Sequence, residues 1–412
     1  MASSIFCSLL SLTLFVGNCT PSPARVASST PPAVQPVGST ATPVPAGLQM
    51  GAAQFGKYLP QLQGKRVGLV VNQTSLVGRT HLVDTLLTQG VAVKAIFAPE
   101  HGFRGEEADG ATIKDGRDTR SGLPVKSLYG KSKKPSVEML ADVDVLIFDI
   151  QDVGVRFYTF ISTMHYVMEA AAEQGKTVIV LDRPNPNGFY VDGPVLEPAH
   201  KSFVGMHPIP VVHGLTVGEL AQMINGEKWL AGGKQCALTV VPVLGYTHDT
   251  RYELPVRPSP NLPNAHAVLL YPTICLFEGT NVSVGRGTDA PFEQIGAPTQ
   301  PASRPHSFTP RPTTGSPQPP LNGQKCYGQD LRKLSAAESG GFTLRYLIDF
   351  YKQSTAKDKF FGKYFEQLTG TNSLREMVVA GKSEKEIRKA WEPALGQYKV
   401  MRKKYLLYPD FK

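Results

Sequence analysis

The chain has 412 residues, of which 41% are hydrophobic and 19% charged, a soluble globular composition with length enough for two domains with substantial cores. Its formal charge of +9 suggests an anionic partner such as a cell-wall polymer or a membrane surface, while no aromatic-plus-basic motif or basic helix supports nucleic acid. The five cysteines include no CxxC and no metal-finger spacing; Cys236, Cys275 and Cys326 leave room for one disulfide but read first as free buried thiols.

Ile5 to Val16 is an apolar run too short to span a membrane and reads as the core of a secretory signal, although Met1 to Ser4 lacks Lys or Arg. Val16-Gly17-Asn18-Cys19 resembles a loose lipoprotein-processing site, with Cys19 as the residue that would carry the lipid. The other reading is an ordinary signal with an incidental cysteine. Export is expected, to the periplasm or to a membrane anchor. Thr20 to Ala46 is rich in Pro, Ser, Thr, Ala and Val with one charge, Arg25, and reads as a flexible tether.

From Gly47 a strand–helix rhythm begins. Arg66–Val71, Val91–Phe97, Val143–Ile150 and Thr177–Leu181 are continuous apolar runs, as expected for strands covered on both faces. Between them His81–Gln89, Ser136–Leu140 and a segment through Thr163–Glu173 read as helices. This predicts an α/β fold: a Rossmann-like parallel sheet domain over 47–205, with a second, smaller α/β domain over 206–412. In the second part Leu215–Ile224 reads as a helix with Thr216 as N-cap, and Ala237–Val243 and Val268–Leu276 as strands. Pro298–Pro320 reads as a Pro-rich insert, and Leu344–Tyr351 and Glu384–Leu395 as amphipathic helices. Val71 is followed by Asn72-Gln73-Thr74-Ser75 rather than a glycine-rich fingerprint, and no Walker pattern occurs, so no nucleotide cofactor is expected.

Each strand of the first domain runs into polar sequence. Asn72 follows the first strand; Glu100, His101 and Arg104 follow the second, in Pro99-Glu100-His101-Gly102-Phe103-Arg104-Gly105. The third leads into Asp149, Gln151, Asp152, Arg156 and Tyr158, and the fourth into Asp182, Arg183, Asn185 and Asn187. In a parallel sheet these ends line one crevice. Carboxylates, amides and an aromatic suit a carbohydrate, and a carboxyl there can serve as general acid. The bland alternative for Asp149 and Asp182 is that they cap the turns that follow. Metal ligation by Glu100, His101, Asp149, Asp152 and Asp182 is a further reading, but no ligand spacing supports it and no metal is expected. The second part adds Glu278, Asn281 and Arg286 within Phe277–Thr288, and Asn261 on a proline-braced segment. Arginine beside several glycines can clamp a carboxylate with two hydrogen bonds.

Four of these stretches, PEHGFRG at Pro99–Gly105, DIQDVGVRFYTFISTM at Asp149–Met164, DRPNPNG at Asp182–Gly188 and FEGTNVSVGRGT at Phe277–Thr288, stand in an order that resembles the exo-β-N-acetylmuramidase family, long catalogued as a domain of unknown function. The resemblance implies an exported glycosidase that removes N-acetylmuramic acid from the non-reducing end of peptidoglycan fragments, with its active site in the cleft between the two domains. No protein partner is expected. It implies Glu100 as the catalytic carboxyl. His101 would tune it or bind a hydroxyl. Asp149 or Asp152 would be base or nucleophile, unless the substrate's own acetamido oxygen attacks. Arg286, Arg156 or Arg183 would meet the lactyl carboxylate of the sugar. The rival readings are a non-catalytic cell-wall-binding lipoprotein and a metal-dependent amidase or esterase.

Overall fold

The computed structural model describes residues 47–103, 115–130 and 132–412; the signal, Cys19, the tether and Arg104 lie outside the described residues. In chain order the strands are β1 (Val67–Val71), β2 (Leu76–Val77), β3 (Thr80–His81), β4 (Val93–Ala98), β5 (Gly116–Arg117) and β6 (Pro124–Ser127). They continue with β7 (Val145–Asp149), β8 (Thr177–Leu181), β9 (Ala237–Val241), β10 (Gln294–Ala297), β11 (His306–Phe308) and β12 (Cys326–Asp330).

The main sheet has seven strands in the order β5-β6-β4-β1-β7-β8-β9, parallel except for the edge strand β5. Chain order runs outward from β1 in both directions, so the winding reverses at β1, and the crevice beyond its carboxyl end is where such sheets bind ligands. Alternate residues of each strand point to opposite faces. Leu69, Val71, Ile147 and Ile179 enter one core, while Val70, Phe148, Val178 and Val180 enter the other. Both faces are covered, which is why β1 and β7 are apolar throughout except at Asp149.

The sequence places these strands to within one or two residues, and Thr177–Leu181 to the residue. Thr216 is the N-cap of helix Val217–Gly226, its hydroxyl bonded to the Glu219 amide and the Glu219 carboxylate returning to the Thr216 amide. β9 joins the main sheet from beyond residue 205, so the sheet runs past the boundary read there. Val268–Leu276 is a correction. It is the helix Ala265–Ile274, capped by the Asn264 side chain on the Ala267 amide, followed by a 3₁₀ turn over Cys275–Gly279. Seven of the ten residues of that helix are buried and none is exposed, which blurs the periodicity that would distinguish it from a buried strand. The Pro-rich stretch contributes β11 to a second, antiparallel sheet ordered β10-β12-β11. One core cluster extends from the main sheet through Ile295 to Phe350 and Trp391. Cys236, Cys275 and Cys326 are free and buried, as expected.

Helix Phe160–Glu173 is buried along most of its length and carries His165 inside it. His165 Nδ1 lies 3.1 Å from His207 Nε2, one ring donating to the other, and His165 Nε2 lies 3.5 Å from Glu169. Burial pulls the pKa of His165 down to about 4, against the partial opposition of Glu169. The unfolded chain therefore takes up a proton near pH 6.5 that the folded chain refuses until about pH 4, and stability falls as pH falls through that window. His165→Gln should remove about 2–3 kcal/mol of the stability difference between pH 7 and pH 4.5. Urea unfolding of both proteins at the two pH values measures it; parallel losses would remove His165 as the cause.

Candidate active site

A cavity of about 380 Å³ opens at the carboxyl end of β4, where the chain turns through Pro99 to Gly102. Two left-handed residues in succession make that turn, His101 at φ 66° and Gly102 at φ 74°. Glycine adopts this conformation freely, but histidine does so rarely, and a non-glycine residue held there marks a site where the backbone is constrained for a purpose. The result is that Glu100 and His101 both line the cavity.

Glu100 is half-buried and held from across the cleft. Thr159 immediately precedes helix Phe160–Glu173, yet its hydroxyl does not cap that helix. It donates instead to Glu100 Oε2 at 2.7 Å, fixing the carboxyl in place. Around it stand Phe157, Tyr158, Phe160 and Tyr271, with Tyr271 edge-on to Phe157 at 5.5 Å and to Tyr158 at 6.0 Å. The Tyr158 hydroxyl donates to the Pro258 carbonyl at 2.8 Å, so this residue presents ring surface rather than its hydroxyl. Aromatic faces of this kind pack against the apolar face of a sugar.

Glu278 and Arg286 form the far wall. Arg286 donates through Nε to Glu278 Oε1, and the buried Cys275 thiol donates to Oε2 at 3.4 Å. The Glu278 carboxylate is thus held at both oxygens. Among the described residues, Glu100 and Glu278 are the carboxylates lining the cavity.

The structure brings Glu100, His101, Tyr158, Glu278 and Arg286 to this cavity, and places the other expected residues within the protein fabric. Asp149, expected as base or nucleophile, is fully buried and takes a two-pronged bond from Arg183, 2.6 Å from Nε and 2.9 Å from Nη2. Neither member of that pair lines the cavity. Asp152 accepts from the Gly154 amide at 2.7 Å and lies 3.5 Å from His213. Arg156, expected to meet the lactyl carboxylate, has no exposed surface and donates to the carbonyls of Pro194, Ile209, Leu368 and Thr369. Asp182 accepts from Thr216 at 2.7 Å, from the Gly218 amide at 2.8 Å and from the Tyr408 hydroxyl, tying the chain's last segment to the sheet. Burial pushes its pKa up to about 6, those donors opposing.

The amides follow the same pattern. Asn72 accepts from the Thr74 amide, and Asn185 from the Asn187 amide, each closing its own turn. Gln151 donates to the carbonyls of Asp152 and Pro184, and Asn187 to those of Val153 and Val268. Asn261 donates to the Gly315 carbonyl, and the Asn281 backbone amide to that of Phe360. These residues build the crevice floor from loop-to-loop bonds. Thr159, Lys133, Ser202, Phe203 and Gln367 line the cavity without having been singled out from the sequence. Of these only Thr159 lies inside a stretch that drew notice, the DIQDVGVRFYTFISTM motif at Asp149–Met164. Among the described residues no group of three or more His, Cys, Asp or Glu is placed to hold a metal ion.

A doubly wound sheet with a carboxyl and an imidazole fixed over an aromatic-walled cavity at its strand ends defines an α/β protein built for acid-assisted chemistry on a small polar ligand. Residues 67–266 match the N-terminal and residues 269–408 the C-terminal family model of the exo-β-N-acetylmuramidase NamZ. The chain belongs to that family. It is 41% identical over 377 residues to the peptidoglycan β-N-acetylmuramidase NamZ of Bacillus subtilis, covering 85% of this chain and 89% of the relative. Two solved structures of DUF1343 family proteins from Bacteroides fragilis each cover 88% of this chain and 99% of their own. The first is 47% identical with a TM-score of 0.83, the second 30% identical with a TM-score of 0.76.

Proposed function

We propose that this protein is an exo-acting glycosidase that removes N-acetylmuramic acid from the non-reducing end of peptidoglycan fragments, with Glu100 as general acid to the leaving oxygen. The observation that carries the reading is Glu100 itself, fixed by Thr159 over an aromatic-walled cavity. Family membership and the Bacillus subtilis relative supply the sugar and the linkage. The cavity's 380 Å³ lies at the small end of the range for ligand pockets, about 300–1,000 Å³, and suits one terminal sugar better than a length of glycan. That favours exo over internal cleavage. His101, next to Glu100 on the strained turn, is suited to bond a ring hydroxyl, and the paired Glu278 and Arg286 to hold the sugar's other polar groups. Peptidoglycan lies outside the cytoplasm, so the reading goes with export through the Ile5–Val16 segment and with lipidation at Cys19.

The test is chromophore release from an aryl β-N-acetylmuraminide, with the matching N-acetylglucosaminide as control and with EDTA added to a parallel sample. Cleavage of the muraminide alone, undiminished by the chelator, is the expected result. A folded protein that cleaves neither sugar would be a wall-binding protein. Loss of activity with EDTA would point to a metal-dependent hydrolase.

A further inference from the structure

The cavity contains a cation that the sequence did not bring forward. Two cations line it among the described residues, Arg286 and Lys133. Arg286 is matched by Glu278 within the wall itself. Arg156 and Arg183 are taken up elsewhere, by backbone carbonyls and by Asp149. Lys133 makes no ion pair among the described residues; its ammonium lies over the ring of Phe203, 4.1 Å from the centroid.

That ammonium is held in place. Phe203 stacks on Tyr166 with the rings 6.2 Å apart and 11° from parallel, so the surface beneath Lys133 is fixed. The next residue, Lys134, bridges Glu169 at 2.9 Å and Glu173 at 2.7 Å, pinning the backbone to helix Phe160–Glu173. The Ser132 hydroxyl donates to the Lys134 carbonyl at 2.8 Å and tightens the same turn. Lys134 is thus occupied in holding the loop, and Lys133 is left facing the cavity.

N-acetylmuramic acid differs from N-acetylglucosamine by one lactyl ether, which adds a carboxylate and a methyl group. Lys133 above Phe203, with Val204 alongside in the cavity wall, offers a charge for the first and apolar surface for the second. We infer that Lys133 is the specificity-determining residue that binds the lactyl carboxylate, with Phe203 and Val204 packing against the lactyl methyl. The inference rests on the muramidase reading above and names the group that selects the sugar.

The experiment compares kcat/KM for an aryl β-N-acetylmuraminide with a free lactyl acid against the same compound with a lactyl carboxamide, in wild type, Lys133→Met and Lys133→Arg. A charge-assisted hydrogen bond predicts that wild type favours the acid about 10- to 100-fold. In Lys133→Met that preference should collapse to about one, through loss on the acid, and Lys133→Arg should restore most of it. The half-buried Lys133 bonds no buried partner, so both variants should fold with wild-type circular dichroism. A Lys133→Met enzyme that keeps the preference, or an active wild type that has none, overturns the assignment of Lys133 while leaving the muramidase reading intact. A wild type that cleaves neither compound overturns both.

Discussion

Glu100→Gln should lower kcat on a natural muramic-acid-terminated fragment by about 10³-fold, the middle of the range for loss of a positioned general acid. The substitution is nearly isosteric, and the Thr159 hydroxyl, 2.7 Å from Oε2, can donate as well to an amide oxygen. Binding should therefore survive and KM change little; an interaction made mainly in the transition state lowers kcat and kcat/KM together. The leaving group supplies an internal check. A sugar hydroxyl is a poor leaving group and needs the proton, whereas a nitrophenolate departs largely without one. The variant should thus lose much more activity on the glycan fragment than on a nitrophenyl muraminide. Equal losses on the two substrates would mean that Glu100 is not the acid, and a variant retaining a tenth of its activity on the natural fragment would mean that it is not essential.

The parallel sheet was legible because its strands are buried on both faces, and such strands are written as short unbroken apolar runs between helices. Arg66–Val71 and Thr177–Leu181 show this plainly. The same logic misreads Val268–Leu276, where a largely buried helix also gives an apolar run, and where Asn264 as N-cap was the signal to weigh. The site was legible in part. Glu100, His101, Glu278 and Arg286 came through because each sits on a glycine-punctuated turn at the cavity. Polar strand ends serve two purposes, however: some face a ligand, and some tie neighbouring loops together. Residue type alone does not separate them. Asn72-Gln73-Thr74 and Asn185-Pro186-Asn187 do carry a local sign of the second purpose, since an Asn side chain commonly accepts from the amide two residues on. Lys133 and Phe203 were not legible at all, being some 70 residues apart in loops that the fold alone brings together.

Asp149 is where the two purposes give opposite experimental results. It ends the inner strand β7 with no exposed surface, and Arg183 stands two residues past the end of the neighbouring strand β8 at about 4% exposure, so a carboxylate and a guanidinium meet just inside the sheet's carboxyl edge. Two parallel hydrogen bonds join them, and Arg183 Nη2 also reaches the Leu76 carbonyl at 3.3 Å, which ties the loop after β1 to the same pair. Removing one member of such a pair leaves the other charged, buried and unmatched. Asp149→Ala should accordingly cost about 3–5 kcal/mol of stability. Arg183→Met should cost a similar amount, and the double variant much less than the sum, because no buried charge then remains; the non-additivity measures the coupling. If Asp149 were instead base or nucleophile, Asp149→Ala would keep its stability and lose its turnover. The expected outcome is the reverse: a protein that unfolds at lower urea concentration, yet in the cold still cleaves muraminide at a rate per folded molecule within about tenfold of wild type, a far smaller loss than general acid–base groups usually impose. The carboxyl that carries the chemistry is then Glu100 in the cavity, while Asp149 and Arg183 hold rigid the strand ends on which that cavity is built.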